Sequence, residues 1–348
     1  MSDLVSILMP AYNAEKWIRD TIRSALGQSW PRKEIIIVND GSSDNTLAIA
    51  KQFDSRSLKV ISQENRGASA ARNKALAHAQ GDYIQWLDAD DLLASDKIFE
   101  QMKVAENGRA SLTLLSSSYG TFYWRYKKAR FVPDALWQDL SPVEWILRKF
   151  SDNFWLVPAV WLVSRRLTEK AGPWDERLSL DDDGEYFCRV VAASKRVKFV
   201  REARSYYRQS GYSQLSRKYT KKSYESLLLT RTLNIRHLNS LEESQRTRRA
   251  SLIYLQRLQS YFYYADEAKM VEKTSILARE LGGELIPTRL KWKWNILRRL
   301  LGWKTTRKVM NGGQKSKLMT KIYWDRLLYS MTRRRNNITE ESAFCNYE

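Results

Sequence analysis

The sequence predicts an α/β protein: a mostly parallel sheet flanked by helices, followed by an appended α-helical C-terminal region. Three observations carry that prediction. Short apolar runs alternate with helix-period segments through residues 5–87, the spacing of right-handed β-α-β units. Each run closes on a polar cluster, as the ligand-facing ends of parallel strands do. Beyond Lys222 the apolar residues recur only at helical spacing.

Residues 5–9 read as a buried strand ended by Pro10. Asn13 reads as the N-cap of a helix carrying Trp17, Ile18, Ile22, Ala25 and Leu26. Residues 34–38 form a second buried strand, closing on Asn39, Asp40 and Gly41. A short helix over 46–53, a third strand over 58–62, an Ala-rich helix over 67–79 and a fourth strand over 83–87 follow. A fifth strand is expected at 112–116 and a short one at 197–200, with a serine-rich loop after it.

At 43% hydrophobic and 28% charged, the 348 residues suit a folded chain with a full core. Two cysteines, Cys188 and Cys345, allow no disulfide framework and favour a reducing, cytoplasmic setting. Only His78 and His237 are present, which argues against catalysis through histidine pairs or zinc held by several imidazoles and turns acid–base chemistry toward carboxylates. The first residues suggest no leader peptide, and no apolar run nears the ~20 residues a bilayer span needs. The net charge of +20 is localised: residues 289–335 hold fifteen Lys or Arg against one acid, Asp325.

The stretch 85–93 draws the chemistry together. An apolar strand ends in Asp88, Asp90 and Asp91. On a strand end Asp88 and Asp90 point the same way. Hard oxygen ligands open on one side suit Mg²⁺ or Mn²⁺ that also holds a diphosphate. A solvated acidic strand end is the plainer alternative. No G-x-G-x-x-G or P-loop pattern follows the first strand, which removes the main support for those nucleotide sites. Tyr12 could instead stack a base, Asp40 accept from a ring N–H, and Arg66 meet phosphate. Each alone has a local explanation, but four polar clusters at four consecutive strand ends are harder to dismiss.

Four motifs then stand in order: 6–13 (SILMPAYN), 36–44 (IIVNDGSSD), 65–73 (NRGASAARN) and 88–91 (DADD). As a set they resemble family 2 glycosyltransferases of the GT-A fold, a Rossmann-like α/β architecture. The resemblance spans roughly residues 4–216. It implies a nucleotide-sugar donor, a divalent metal (Mn²⁺ or Mg²⁺) and inversion at the anomeric carbon. Ala11, Tyr12 and Asp40 would hold base and ribose, with Pro10 and Asn13 also at the donor site. Asn65, Arg66 and Gly67 would lie close to the nucleotide. Asp88, Ala89 and Asp90 would form the Asp-x-Asp motif, with Asp88 and Asp90 on the metal. A second acidic stretch, 181–185, resembles the family's Glu-Asp or Asp-Asp pair. Asp183 is the expected base, with Asp182 the alternative. Tyr207, Arg208 and Ser213 resemble the family's Tyr-Arg and serine loop near the diphosphate. Trp155 and Trp161, just before the acidic stretch, are the expected acceptor contacts, with core packing as the competing explanation. Uracil suits a tyrosine stack and an aspartate contact best, though thymine would satisfy them too.

The expected organisation is 1–216 for the transferase (1–110 nucleotide-binding, 111–216 acceptor side), 217–285 for an α-helical unit ended by Gly282-Gly283, and 286–348 for a basic amphipathic tail. In 289–303, Leu290, Trp294, Ile296, Leu297, Leu300 and Leu301 share one helical side, opposite Lys291, Arg298 and Arg299. Tryptophan among Lys and Arg suits an anionic membrane surface. A docked helix is the second reading, and single-stranded nucleic acid the least favoured. The tail, with a glycan or lipid-linked acceptor, places the enzyme on the cytoplasmic face of a membrane. The competing functions are a nucleotidyltransferase that makes sugar nucleotides, or a basic membrane- or nucleic-acid-binding protein with an idle domain.

Overall fold

The first apolar run is strand β1 (Val5–Ala11), buried along nearly its whole length because neighbours cover it on every side. In this computed structural model, residues 3–105, 111–209, 220–289 and 291–335 are described. β1 pairs in parallel with β2 (Lys33–Asp40) on one side and β4 (Tyr83–Trp86) on the other, so Leu8 lies between Ile36 and Trp86. β2 pairs in parallel with β3 (Leu58–Gln63). The crossovers are α1 (Ile18–Leu26), α2 (Thr46–Ala50) and α3 (Ala68–His78). After β4 come β5 (Leu92–Leu93), α4 (Lys97–Met102), β6 (Thr113–Phe122), β7 (Arg130–Phe131), α5 (Pro142–Asp152), β8 (Leu162–Ser164), α6 (Arg165–Ala171), α7 (Asp182–Ala193) and β9 (Arg196–Arg208). The sheet runs β3-β2-β1-β4-β8-β6-β9-β5, with β7 on β6. It is parallel through β4 and turns mixed at the antiparallel β4–β8 pair.

Three expectations change. Asn13 caps no helix: α1 starts at Ile18, and Asn13 sits in the left-handed region with φ 48°. The fifth strand runs on to Phe122 through a bulge at Ser117/Ser118. The expected short strand at 197–200 is β9, thirteen residues long, and its last five replace the start of the expected loop. Its inward positions there are Ala203 and Ser205, both fully buried. Small residues on the inner face hid a period-2 alternation. Ser213 and the rest of the expected loop lie outside the described residues.

The helical region consists of α8 (Lys221–Asn239), α9 (Gln245–Ala265) and α10 (Ala268–Glu280). Capping boxes open the first two, through Thr220 with Ser223 and Ser244 with Thr247. Gly282, at φ 75°, stops the third as expected, and the Gly283 amide reaches back to the Ala278 carbonyl. The unit is not a separate body. Ile235, Leu238, Tyr254 and Leu255 belong to the main core, and Tyr254 stacks on Phe150 of α5 at 4.0 Å. Glu185 of α7 holds α8 through His237.

The tail helix α11 (Trp292–Arg335) is kinked at Gly302, φ 73°. Beyond the kink it docks: Asp325 accepts from the amides of Trp124 and Arg125 and pairs with the Arg125 guanidinium at 2.7 Å. Before the kink its apolar residues face outward, and Trp292 is 76% exposed. Among the described residues no helix is long and apolar enough to cross a membrane.

Candidate active site

The carboxyl ends of β1, β2 and β4 open into one cleft of about 1150 Å³, closed on its far side by α5, α7, α8 and α9. The strand ends are cross-braced. Asn13 Oδ1 accepts from the Ser43 amide at 2.9 Å, and the Ala14 amide donates to Thr46 Oγ1 at 2.7 Å. Gly41, at φ 67°, lets this turn press on the next: a Cβ there would sit 2.7 Å from the Asn65 amide nitrogen. Asp40 is buried. Its carboxylate accepts from the amides of Arg66 and Gly67, both at 2.9 Å, and from Gln63 Nε2 at 2.7 Å. A carboxylate offers about four acceptor positions. Three of those positions are filled and Asp40 still lines the cleft, so it holds the 65–67 loop and keeps one acceptor position for the expected base N–H. Tyr12 keeps its ring over the cleft, 43% exposed.

Asp88 and Asp90 lie in a turn after β4 and not on the strand itself, with the Asp91 amide donating to the Asp88 carbonyl. Both line the cleft. Asp91 turns inward, fully buried, and accepts from the Arg208 amide at 2.9 Å. Burial and the charges of Asp90 and Asp88 push its carboxyl well above the usual range. Arg72 of α3 reaches across with two arms. One Nη donates to Asp88 Oδ1 at 2.8 Å and the other to Asp182 Oδ2 at 2.6 Å. Its guanidinium lies 4.3 Å from the Trp174 ring centre. The two acidic stretches, far apart in sequence, thus share one buried cation.

The three consecutive aspartates separate by partner. Asp181, left-handed at φ 58°, pairs with Arg231 at 2.7 Å. Asp182 is held by Arg72. Asp183 takes only the amide of Gly184, at 2.8 Å, among the described residues. Loss of water around it and the charges of Asp182 and Asp181 push its carboxyl up to about 7, against the pull of Arg72. Its place in the first turn of α7 sets a carboxylate at the favourable end of the helix dipole. Of the three, Asp183 alone has no cation of its own and holds a proton affinity suited to a general base near neutrality.

Pro10, Ala11, Tyr12, Asn13, Asp40, Asn65, Arg66, Gly67, Asp88, Ala89, Asp90, Asp182, Asp183 and Trp155 all line this cleft. Arg208 and Trp161 do not. Arg208 ends β9 behind the Asp-x-Asp turn, buried between the rings of Trp17 and Phe122, with Nε donating to the Asp90 carbonyl at 2.8 Å. It supports the turn from the back, because β9 extends to it. Trp161 is fully buried, stacked on Phe187 at 5.3 Å and edge-on to Trp145. It is core, as the competing explanation held. Trp155 is 49% exposed. Arg72 was missed because its helix is Ala-rich and buries Ser69, Ala70, Ala71 and Ala75 beside it, so no apolar stripe marks the side that turns inward.

Among the described residues no three His, Cys, Asp or Glu side chains are grouped to hold a metal ion. Asp88 and Asp90 supply hard oxygens at the cleft. Mg²⁺ is commonly held by one or two carboxylates plus substrate phosphates. The pair therefore fits such an ion when a diphosphate completes its shell.

Comparison with known proteins agrees with this geometry. The sequence pattern described as Glycosyl transferase family 2 matches residues 6–170. A Bacillus subtilis protein named "Putative teichuronic acid biosynthesis glycosyltransferase TuaG" is 48% identical over 103 residues, 29% of this chain and 41% of that protein. An Escherichia coli protein named "UDP-Glc:alpha-D-GlcNAc-diphosphoundecaprenol beta-1,3-glucosyltransferase WfgD" is 36% identical over 117 residues, 33% of this chain and 46% of that one. The chain thus spans less than half the length of these two relatives. The structure of S. aureus TarS 1–349 in complex with UDP-GlcNAc superposes with a TM-score of 0.63 at 20% identity, covering 78% of this chain and 79% of that one. That likeness establishes the fold as GT-A.

Replacing Arg72 by Met strips the shared cation from Asp88 and Asp182. Stability is expected to fall by about 3 kcal/mol, the lower end for breaking a buried ion pair, since both carboxylates keep some water. The Asp183 carboxyl is expected to move above 7, as Arg72 holds it down. Urea unfolding and NMR titration of the carboxyl read the two effects. An unchanged unfolding midpoint would reject the bridge.

Proposed function

We propose, on the premise that this chain belongs to glycosyltransferase family 2 over residues 6–170, that it moves a sugar from a uridine diphosphosugar to a hydroxyl of a glycan or lipid-linked acceptor, with inversion. The observation that carries the reading is the cleft: Asp88 and Asp90 line the donor side, and Asp183, free of any cation, lines the same space. Two comparisons support uridine: TarS was solved with UDP-GlcNAc, and the E. coli relative is named for UDP-Glc.

Tyr12 offers an aromatic face to the base, and the 65–67 loop, fixed by Asp40, borders the nucleotide. A divalent cation on Asp88, Asp90 and the donor's diphosphate would neutralise charge on the departing nucleotide. Arg72 keeps Asp88 aimed at that place and neutralises Asp182. Asp183 takes the proton of the acceptor hydroxyl as its oxygen attacks the anomeric carbon from the face opposite the nucleotide. Trp155 borders the acceptor end.

The same reading places the enzyme on a membrane surface. The part of α11 before the kink exposes Trp292, Ile296, Leu300 and Leu301 among lysines and arginines, the composition of a helix that lies in the headgroup region of anionic lipid. Lipid-linked acceptors meet an enzyme so placed.

Calorimetry with nucleoside diphosphates, with and without Mn²⁺, tests the donor site. UDP is expected to bind, and chelator or Asp90→Asn to weaken it. Full transfer in chelator would remove the metal from the reading. Asp183→Asn is expected to keep UDP binding and lose about 10²–10⁴-fold in transfer, the usual contribution of a general base. In the parent enzyme the rate rises with pH through about 7, because only the deprotonated Asp183 accepts a proton. A flat profile from pH 6 to 8 would assign the base elsewhere. Flotation with anionic vesicles tests the tail: binding should weaken with salt and fail in Trp292→Ala with Leu300→Ala. Equal binding to neutral vesicles would rule out the charge-led surface.

A further inference from the structure

The far wall of the cleft holds cations that the proposed chemistry does not use. Lys149, one turn before the end of α5, is only 7% exposed yet lines the cleft. Among the described residues it has no hydrogen bond and no ion pair. Its ammonium lies 5.8 Å from the centre of the Trp145 ring and acts on the buried thiol of Cys188. A lysine this deep without a counter-ion is costly. The end of a helix offers it partial negative charge, but Arg257 already occupies the carbonyls there, donating to those of Phe150 and Ser151.

Arg257 and Lys222 line the same wall, and neither has a carboxylate partner among the described residues. The nearby acids are committed. Asp181 pairs with Arg231, Asp182 with Arg72, and Glu176 with Arg66. Asp183 remains, and it is assigned to the proton. The balance left on this wall is positive. On α9, Tyr254, Arg257, Leu258 and Tyr261 share one side at helical spacing and all line the cleft, with Tyr261 the aromatic ring left uncovered by a stack.

We propose that this wall, centred on Lys149, is an oxyanion subsite for the acceptor: it takes a phosphate or carboxylate carried next to the sugar that receives the transfer. The proposal rests on the glycosyl-transfer reading. The anion completes the ion pair that Lys149 lacks, and Arg257 supplies a second, planar donor set. Tyr261 offers an aromatic ring to a sugar beside it. The same chemistry could be presented by a diphosphate joining the acceptor sugar to a lipid or by an acidic sugar of a polymer.

Three probes separate these cases: the octyl diphosphate ester of N-acetylglucosamine, octyl N-acetylglucosaminide without phosphate, and the galacturonic acid trimer. Each is titrated into the full-length protein with UDP and Mn²⁺ present. At least one anionic probe is expected to bind about tenfold or more tighter than the neutral one, the worth of one charge-assisted hydrogen bond. The tighter of the two identifies the source of the anion. Lys149→Met should bring the anionic probe to parity with the neutral probe, and Lys149→Arg should keep most of the preference. Thermal melting and UDP binding report whether each variant is folded. Parity in the parent protein, no binding of either anionic probe, or a preference that survives Lys149→Met would each overturn the subsite. UDP affinity is read in a separate titration. Its absence alongside a retained charge preference counts against the donor reading and leaves the subsite standing.

Discussion

One guanidinium holds the two halves of the cleft in register. Arg72 lies in α3, behind the loop that Asp40 shapes, and its two arms reach Asp88 after β4 and Asp182 at the start of α7. Each of those carboxylates would repel the other if the arginine were absent. Burying the cation without them would be equally costly. The arrangement is stable only as a triad, and so it fixes the separation of the two acidic stretches. Beneath it the Trp174 ring faces the guanidinium and stacks on Tyr186 at 3.9 Å, with Trp86 edge-on. The planar cation thus lies on one aromatic face while its two arms hold two carboxylates, a geometry that a lysine could not reproduce.

The sheet explains why the triad sits where it does. Parallel strands end on the same side, and β4 is the last of them before the sheet turns antiparallel at β8. The loops after β1, β2 and β4 therefore crowd one edge, while α5, before β8, and α7, after it, cover the opposite side. A crevice follows from the change of strand direction. The helices α8 and α9 deepen it: they pack onto α7 and α5 through Glu185–His237 and Phe150–Tyr254, so a region first read as an appendage supplies a wall of the cleft.

Much of this was legible because strand ends are marked by composition. Apolar runs closing on Asn39-Asp40-Gly41 or Asp88-Ala89-Asp90 state both where a strand stops and that something polar is needed there. Roles were harder to read than places. Asp40 reads as a ligand contact because an aspartate at a strand end is polar and exposed by default. Only the fold shows that it also accepts from two backbone amides and a glutamine, and so shapes the 65–67 loop. Arg208 reads as a phosphate contact because its strand hides behind Ala203 and Ser205, residues too small to signal a buried face. Trp161 reads as an acceptor contact by proximity in sequence, which does not distinguish the two sides of a strand. Arg72 is not legible within 65–73, since a cation in an Ala-rich helix looks solvated until the helix is docked.

The three aspartates 181–183 show how neighbours with the same side chain acquire different chemistry. Asp181 takes the left-handed backbone that starts the helix and leans on Arg231 of α8, so it ties the helical wall to the cleft. Asp182 leans the other way, on Arg72, and ties the cleft to the sheet. Each ion pair holds its carboxylate in one orientation. Asp183, next in the chain after these two anchored anions, is first of all short of water, and burial is the larger cause of its raised proton affinity. The charges of Asp182 and Asp181 add to it, so the two carboxylates that brace the architecture also tune the third.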